Sequence, residues 1–255
     1  MTASGVALRD RCVDILARVD ETVDNLGAFG GSPRGLLRIS AGFGFGFNVL
    51  SELIPEFLRR YPAVDISLDL TSRAVDLIAA SIDVAVRMGP VPSSELVAKR
   101  IGTIHRYLCV APSYLARRGT PGSIVELRDH DTVELPGIEG RPRRWTFSKP
   151  NAESQSVELS PRMTVNDPLT IHRLVLNGAG VGGLSAYLCA TDIEAGRLVR
   201  LFPQWRMASV EVSVVFPSNR ELSPAVRALV EFLKDASKPG AGWQSDLVAS
   251  GKEKK

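Results

Sequence analysis

The stretch Gly35–Tyr61, GLLRISAGFGFGFNVLSELIPEFLRRY, constrains the fold of this chain more than any other. Leu36, Leu37 and Ile39 form a short apolar run that reads as a strand, and Gly42, Gly44 and Gly46 then interrupt it. After them Leu50, Leu53, Ile54, Phe57, Leu58 and Tyr61 recur at helical spacing. A strand, a glycine-rich turn and an amphipathic helix bring unpaired backbone N–H groups and a positive helix end to the carboxyl end of a strand. Open α/β sheets hold ligands there. The pattern predicts a small-molecule site and leaves open whether it serves catalysis or sensing.

The segments that follow extend the α/β pattern. Val64, Ile66, Leu68 and Leu70 alternate with Asp65, Ser67 and Asp69, as in a strand with one buried face. Residues 73–80 suit a short helix, and Val84–Val86 a strand ending at Arg87-Met88-Gly89. The order βαβαβ predicts a parallel sheet covered by helices. Residues 96–101 and 106–111 read as extended, and Tyr114 starts a helix. Short strands are expected around Val133 and Trp145, and one over Val157–Val165. Asn166-Asp167-Pro168 is a helix start, a capping side chain followed by a proline that needs no N–H partner. That helix reaches about Asn177, and the glycines of GAGVGG lead to a strand at 181–185 and a helix at 187–195. Val210, Val212, Val214 and Val215 mark a late strand, and Val226, Leu229, Val230 and Leu233 share one face of a final helix over Pro224–Ala236. The tail from Lys238 is rich in Gly, Ser and Lys and reads as loose. At the front, Cys12, Leu16, Val19, Val23 and Leu26 follow alternating spacings of four and three. Within a helix over 3–26 that spacing makes a seam for a second helix, the alternative being packing on its own domain.

Composition excludes several classes. No apolar run approaches the roughly 20 residues of a membrane helix, and MTASGVALRDRC carries charges where a signal peptide needs an apolar core, so a cytoplasmic protein without membrane contact is expected. Cys12, Cys109 and Cys189 stand far apart and form no CxxC, which fits a reducing compartment. The net charge is +3, and the basic pairs are scattered among 28 acidic residues, so no nucleic-acid face is visible. Gly178, Gly180 and Gly183 match GxGxxG, but a helix precedes them and a strand follows, the reverse of what a dinucleotide turn requires. Ser185 in GGLSAYL lacks the second glycine of a nucleophile elbow, and His105, His130 and His172 have no metal-ligand spacing. No cofactor, metal or enzymatic activity is expected. The positive signal is a pair of helix N-termini, after Ser40–Gly46 and after Asn166–Asp167, with Arg87 at the end of a strand available to pair with a carboxylate.

In order, GLLRIS-AGFGFG, LIPEFLRRYPAVDISLDL, VDLIAASIDVAVRMG, LVAKRIG, LCVAPSYLARRGTP, ND at 166–167, GAGVGGL, LVRLFPQW and FPSNRELSPAVRALVEFL resemble the effector-binding region of LysR-type transcriptional regulators from Thr2 to Ala236. The resemblance implies a fold similar to a type 2 periplasmic binding protein: two α/β lobes of mixed, mostly parallel sheet flanked by helices and joined by two crossover strands. It implies a linker and dimerisation helix over 1–34, a first lobe over 35–110 plus 211–240, a second over 111–210, and a tail over 241–255. The crossovers are then expected near Val110–Ala111 and Val210–Val212. An effector pocket is implied at Ser40, Ala41, Gly42, Phe43, Arg87, Gly89, Asn166 and Asp167, with a small anionic ligand and a homodimer or homotetramer. DNA is expected only through an absent N-terminal winged helix-turn-helix, since the family's DNA-reading module has no counterpart ahead of Thr2-Ala3-Ser4-Gly5. Phe43, Phe45 and Phe47 stand where the family commonly has a proline and polar residues, which points to a more apolar ligand, such as an aromatic acid. The other readings are a solute-binding receptor of the same fold and a truncated partner that pairs with full-length regulators through 3–26.

Overall fold

A computed structural model of the chain describes residues 2, 5, 11–12, 32–71, 76–91, 96–136, 143–150, 153–218, 222–238 and 242–244. Apart from Cys12, the seam expected over 3–26 lies outside the described residues, as do positions 73–75 of the expected 73–80 helix; Leu77–Ser81 form a turn.

Strand β1 (Gly35–Ala41) runs into a helical lead-in, Phe43–Phe45, then a π-helical turn, Gly46–Leu50, then helix α1 (Ser51–Arg60). Strands β2 (Val64–Leu70) and β3 (Val84–Met88) both pair parallel to β1, as the βαβ order predicts. Next come β4 (Leu96–Ile104), β5 (Arg106–Val110) and helix α2 (Pro112–Arg118). A 3-10 turn, Val125–Asp129, leads to β6 (Thr132–Glu134), β7 (Arg143–Ser148), β8 (Gln155–Leu159) and β9 (Met163–Thr164). Helix α3 (Pro168–Leu176), β10 (Val181–Ser185), helix α4 (Ala186–Glu194), β11 (Val199–Arg200) and β12 (Arg206–Met207) complete the middle of the chain. The end is β13 (Val210–Pro217), helix α5 (Pro224–Asp235) and a 3-10 turn, Gly242–Gln244. The expected strand over Val157–Val165 is two strands, β8 and β9, split at the turn containing Pro161.

These strands form two mixed five-stranded sheets, β2-β1-β3-β13-β4 and β11-β5-β10-β6-β9, and a small antiparallel sheet, β12-β7-β8. The chain passes from the first sheet to the second at His105, because Arg106–Val110 pair antiparallel with β10. This is five residues earlier than the Val110–Ala111 expectation, which had left 106–110 in the first lobe. The apolar run YLCV reads as a strand buried on both faces, and that pattern carries no sign of which sheet it joins. The return passes between β12 and β13, near the expected Val210.

Each sheet has its own core. One face of the first sheet carries Leu37, Ile39, Ala41, Val84, Val86, Val212 and Val214, packed with Phe57 of α1 and with Val226, Leu229, Val230 and Leu233 of α5. In the second, Tyr107, Cys109, Val133, Ile171, Val175, Leu184 and Cys189 pack together. Gly46 lets the helical turn lie directly on the side chain of Leu70, where a Cβ would collide. Among the described residues no helix is long and apolar enough to cross a membrane.

The tail is ordered further than its composition predicts. Trp243 is 7% exposed. Its ring meets Phe45 edge-on at 5.2 Å, and it covers Gly102 of β4. The Gln244 side chain accepts from Thr103 N and donates to the carbonyl of Ser237. Burial of one large aromatic ring gives this segment the apolar area that Gly, Ser and Lys lack.

Candidate functional site

Between the first and second sheets lies a cavity of about 710 Å³. Its walls come from the Gly42–Phe45 turn, from β3 and its following loop, from the 76–78 turn, and from the starts of α3 and α4.

Strand pairing decides which side chains face it. Ser40 stands opposite both Asp69 and Ala85, so these side chains leave the sheet on the face away from its α1–α5 core. Arg87, two residues beyond Ala85, shares that face. Its Nη2 donates to Ser40 Oγ at 3.0 Å, and its Nη1 reaches the Val86 carbonyl at 3.5 Å. Burial pulls Arg87 below the ordinary guanidinium value, and Asp69 pushes weakly the other way. Among the described residues no carboxylate forms an ion pair with it. A half-buried, desolvated cation with donors to spare is a site for an anion.

The second sheet contributes a second arginine. Arg106 opens β5, donates to the Gly183 carbonyl at 3.0 Å and lies 3.7 Å from Glu134 Oε1. The other oxygen of Glu134 accepts from the Trp145 indole N–H, which fixes the carboxylate. Gly183 makes the approach possible: a Cβ there would stand 2.7 Å from Arg106 Nη2 and 2.9 Å from Met207 Cε. Arg106 thus has a carboxylate at ion-pair distance, whereas Arg87 has only the weaker influence of Asp69 among the described residues.

Two helix N-termini meet the cavity. Asp167 caps α3, its Oδ2 accepting from Thr170 N and Thr170 Oγ1 at 2.7 Å each. Its Oδ1 is buried with no hydrogen-bond partner. Helix α4 starts after Ser185 and carries Tyr187, whose hydroxyl faces Gly44. Burial pushes the Tyr187 phenol up to about 12, so it is a neutral donor at any physiological pH.

Of the residues expected from the sequence, Gly42, Phe43, Arg87 and Asn166 line the cavity. Ser40 is fully buried and reaches it only through Arg87. Ala41 is part of the first sheet's core. Gly89, at φ +84°, turns the chain after β3 and donates to the Glu211 carbonyl, and Asp167 is occupied as the α3 cap. Of the three phenylalanines, Phe43 is exposed at the cavity, Phe45 is buried between Tyr187 and Trp243, and Phe47 is exposed outside the lining.

Sequence reasoning missed Arg106, Ser185 and Tyr187, which also line the cavity. A signal existed for Arg106, an arginine heading an apolar strand. GGLSAYL had one too: glycines clearing space ahead of a helix start. No group of three or more His, Cys, Asp or Glu side chains among the described residues could hold a metal ion.

Comparison with known proteins shows the family of the chain. Residues 30–238 match the family described as LysR substrate binding domain. The chain is 33% identical over 235 residues to the HTH-type transcriptional regulator PtxR of Pseudomonas aeruginosa, covering 91% of this chain and 72% of PtxR. It is 29% identical over 236 residues to an HTH-type transcriptional regulator of Xanthomonas campestris, covering 91% of this chain and 68% of that one. Its fold superposes with a TM-score of 0.69 on the regulatory domain of CrgA, a LysR-type transcriptional regulator from Neisseria meningitidis. That match has 26% identity and covers 80% of this chain and 100% of the other.

Proposed function

We propose, from the premise that this chain belongs to the LysR family and carries its substrate-binding domain, that it senses a small carboxylate held between its two lobes. The broader role is that of the family, whose members regulate transcription and are not enzymes. The observation that carries the finer reading is Arg87. It is a desolvated guanidinium facing a cavity, hydrogen-bonded to Ser40 and lacking an ion-pair partner among the described residues. Arg106 and Asn166 face the same space from the other side.

The lobes in this reading follow the sheets: strands β1–β4 with β13 make the first, and β5–β12 the second. A ligand touching Arg87 on one and Arg106 on the other binds best when both are at the right separation. Its differential affinity for two lobe arrangements shifts their populations, and no bond is made or broken. In a regulator that shift changes how the subunits present their DNA-binding parts.

The test begins with a thermal-shift screen of small carboxylates, in which a binder raises the melting temperature. Calorimetry then compares the parent with Arg87→Ala. Loss of a charge-assisted contact, about 1.5–3 kcal/mol, predicts affinity about 10- to 150-fold weaker. Unchanged affinity for the acid would remove Arg87 from the site.

A further inference from the structure

Helix α4 belongs to the second sheet, whose core takes up its Ala186 and Cys189. Tyr187, between them in sequence, packs instead against the core of the first. The ring it meets there is Phe45, edge-on at 6.5 Å. Phe45 is held in turn by Trp243, at 5.2 Å and 87°. Three rings thus run from Tyr187 in the cavity wall, through the first core, to the carboxyl-terminal turn Gly242–Gln244. That turn reaches both lobes. It docks on the edge strand β4, where Gln244 accepts from Thr103 N at 3.1 Å. The Trp243 ring fills the space that a Cβ on Gly102 would need, with its Cη2 only 2.4 Å from that position. The same turn lies beside α4. Gly102 and Thr103 come just ahead of His105, where the chain crosses to the second sheet. The His105 carbonyl accepts from the N–H of Ala186, the first residue of α4, at 2.9 Å. The turn therefore sits on the crossover. Any rotation of the second sheet about His105 carries α4, and with it Tyr187, past Phe45 and Trp243. Edge-on ring pairs depend on orientation, so such a rotation breaks these contacts or expels the turn.

We propose that the Gly242–Gln244 turn is a clasp across the crossover, and that Trp243 is a positioning residue for the cavity. It holds Phe45, which holds Tyr187, and so sets the lobe arrangement of the ligand-free chain. With the turn docked, Tyr187 stays in the cavity wall; with the turn released, α4 moves relative to the first sheet. A ligand that prefers one arrangement works with the clasp, and one that prefers the other works against it. The clasp is independent of the chemical class of the ligand, so it stands or falls apart from carboxylate sensing.

The experiment is hydrogen exchange on the whole chain without ligand, comparing the parent with Trp243→Ala, Trp243→Phe and Gly102→Ala. Trp243→Ala deletes the ring, whereas Gly102→Ala leaves the tail intact and denies the ring its seat on β4. In both, the amides of 103–106 and of 186–190 should exchange about 10-fold faster or more. The paired centre of the second sheet, Leu108–Cys109 against Gly182–Gly183, should change less. A merely structural loss raises exchange evenly through global unfolding, so the excess at α4 over the β5–β10 ladder is the signature of the clasp. Trp243→Phe, which keeps a ring against Phe45, should restore most of the protection. If Trp243→Ala does not fold, Gly102→Ala and Trp243→Phe carry the same comparison. Even acceleration of α4 and of the ladder overturns the proposal, as does parent-like exchange at 186–190 in Gly102→Ala. Either result leaves the carboxylate reading untouched, because no ligand enters the measurement.

Discussion

Arg87 and Ser40 make a prediction in which stability and binding move in opposite directions. In Arg87→Met the half-buried cation is gone, and with it the cost of holding a guanidinium partly out of water with Asp69 acting on it only at a distance. Replacing buried charge by an apolar side chain is commonly neutral or stabilising by about 1–4 kcal/mol. Arg87 is only half-buried, so the lower end applies, about 1 kcal/mol. Against this, Ser40 is fully buried and loses its 3.0 Å contact, and an orphaned buried hydroxyl costs about 1 kcal/mol or more. The single variant should therefore unfold within about 1 kcal/mol of the parent, while the double variant Arg87→Met/Ser40→Ala leaves no orphan. It should match or exceed the parent by about 1 kcal/mol, or about 2–4 °C in melting temperature for a chain of this size. Carboxylate affinity should nonetheless fall in both variants. Urea unfolding of the ligand-free protein, with unchanged m-value, is the assay. A double variant less stable than the parent by more than about 1 kcal/mol would mean that Arg87 braces the fold, and the argument for an anion site would lose its basis.

Trp243→Ala should destabilise by about 1–3 kcal/mol, the cost of a buried tryptophan less the freed entropy of the short turn that carries it; no change in urea midpoint would mean the turn does not dock. Leu229→Ala, at a 2% exposed site between α5 and the first sheet, should cost about 2–5 kcal/mol in the same measurement. Burial pushes the Asp192 carboxyl up, but hydrogen bonds from Arg197 and His172 outweigh it and hold the group below the ordinary carboxylate range. Its contribution is full above the unfolded value near about 4 and disappears as pH falls through the folded value. Asp192→Asn should therefore be less stable at neutral pH and lose less on acidification; parallel stability–pH curves would refute this. Gly183→Val should displace Arg106 from the Gly183 carbonyl and weaken carboxylate binding with little effect on the first sheet, read by calorimetry against the parent.

The parts of the fold written in short-range pattern were legible. Alternation over Val64–Leu70, the Asp167-Pro168 cap and the face shared by Val226, Leu229, Val230 and Leu233 each predicted an element that is present. The sheet to which Arg106–Val110 belong was not, because strand partnership is a long-range property and YLCV is apolar on both faces. The site was half legible for a similar reason. Gly42, Phe43, Arg87 and Asn166 sit beside turns and caps that leave a signature. Tyr187 and Arg106 enter the cavity through packing between segments far apart in sequence. Trp243 was hidden by its neighbours, whose composition is that of a loose tail.

The position of β13 has a consequence for how the protein is made. It lies in the interior of the first sheet, between β3 and β4, yet it follows the whole of the second sheet in the chain. On a ribosome, β1, β2 and β3 emerge early, but β3 has no partner on its β13 side until Val210–Pro217 appears, and α5, which covers the same core, comes later still. The second sheet's segment, by contrast, is continuous from Arg106 to Met207 and can close on itself first. Biogenesis should thus run from the middle outward, with the amino-terminal strands exposing an unpaired edge until the last strand arrives. A nascent chain halted before Val210 is expected to be the form most dependent on chaperones.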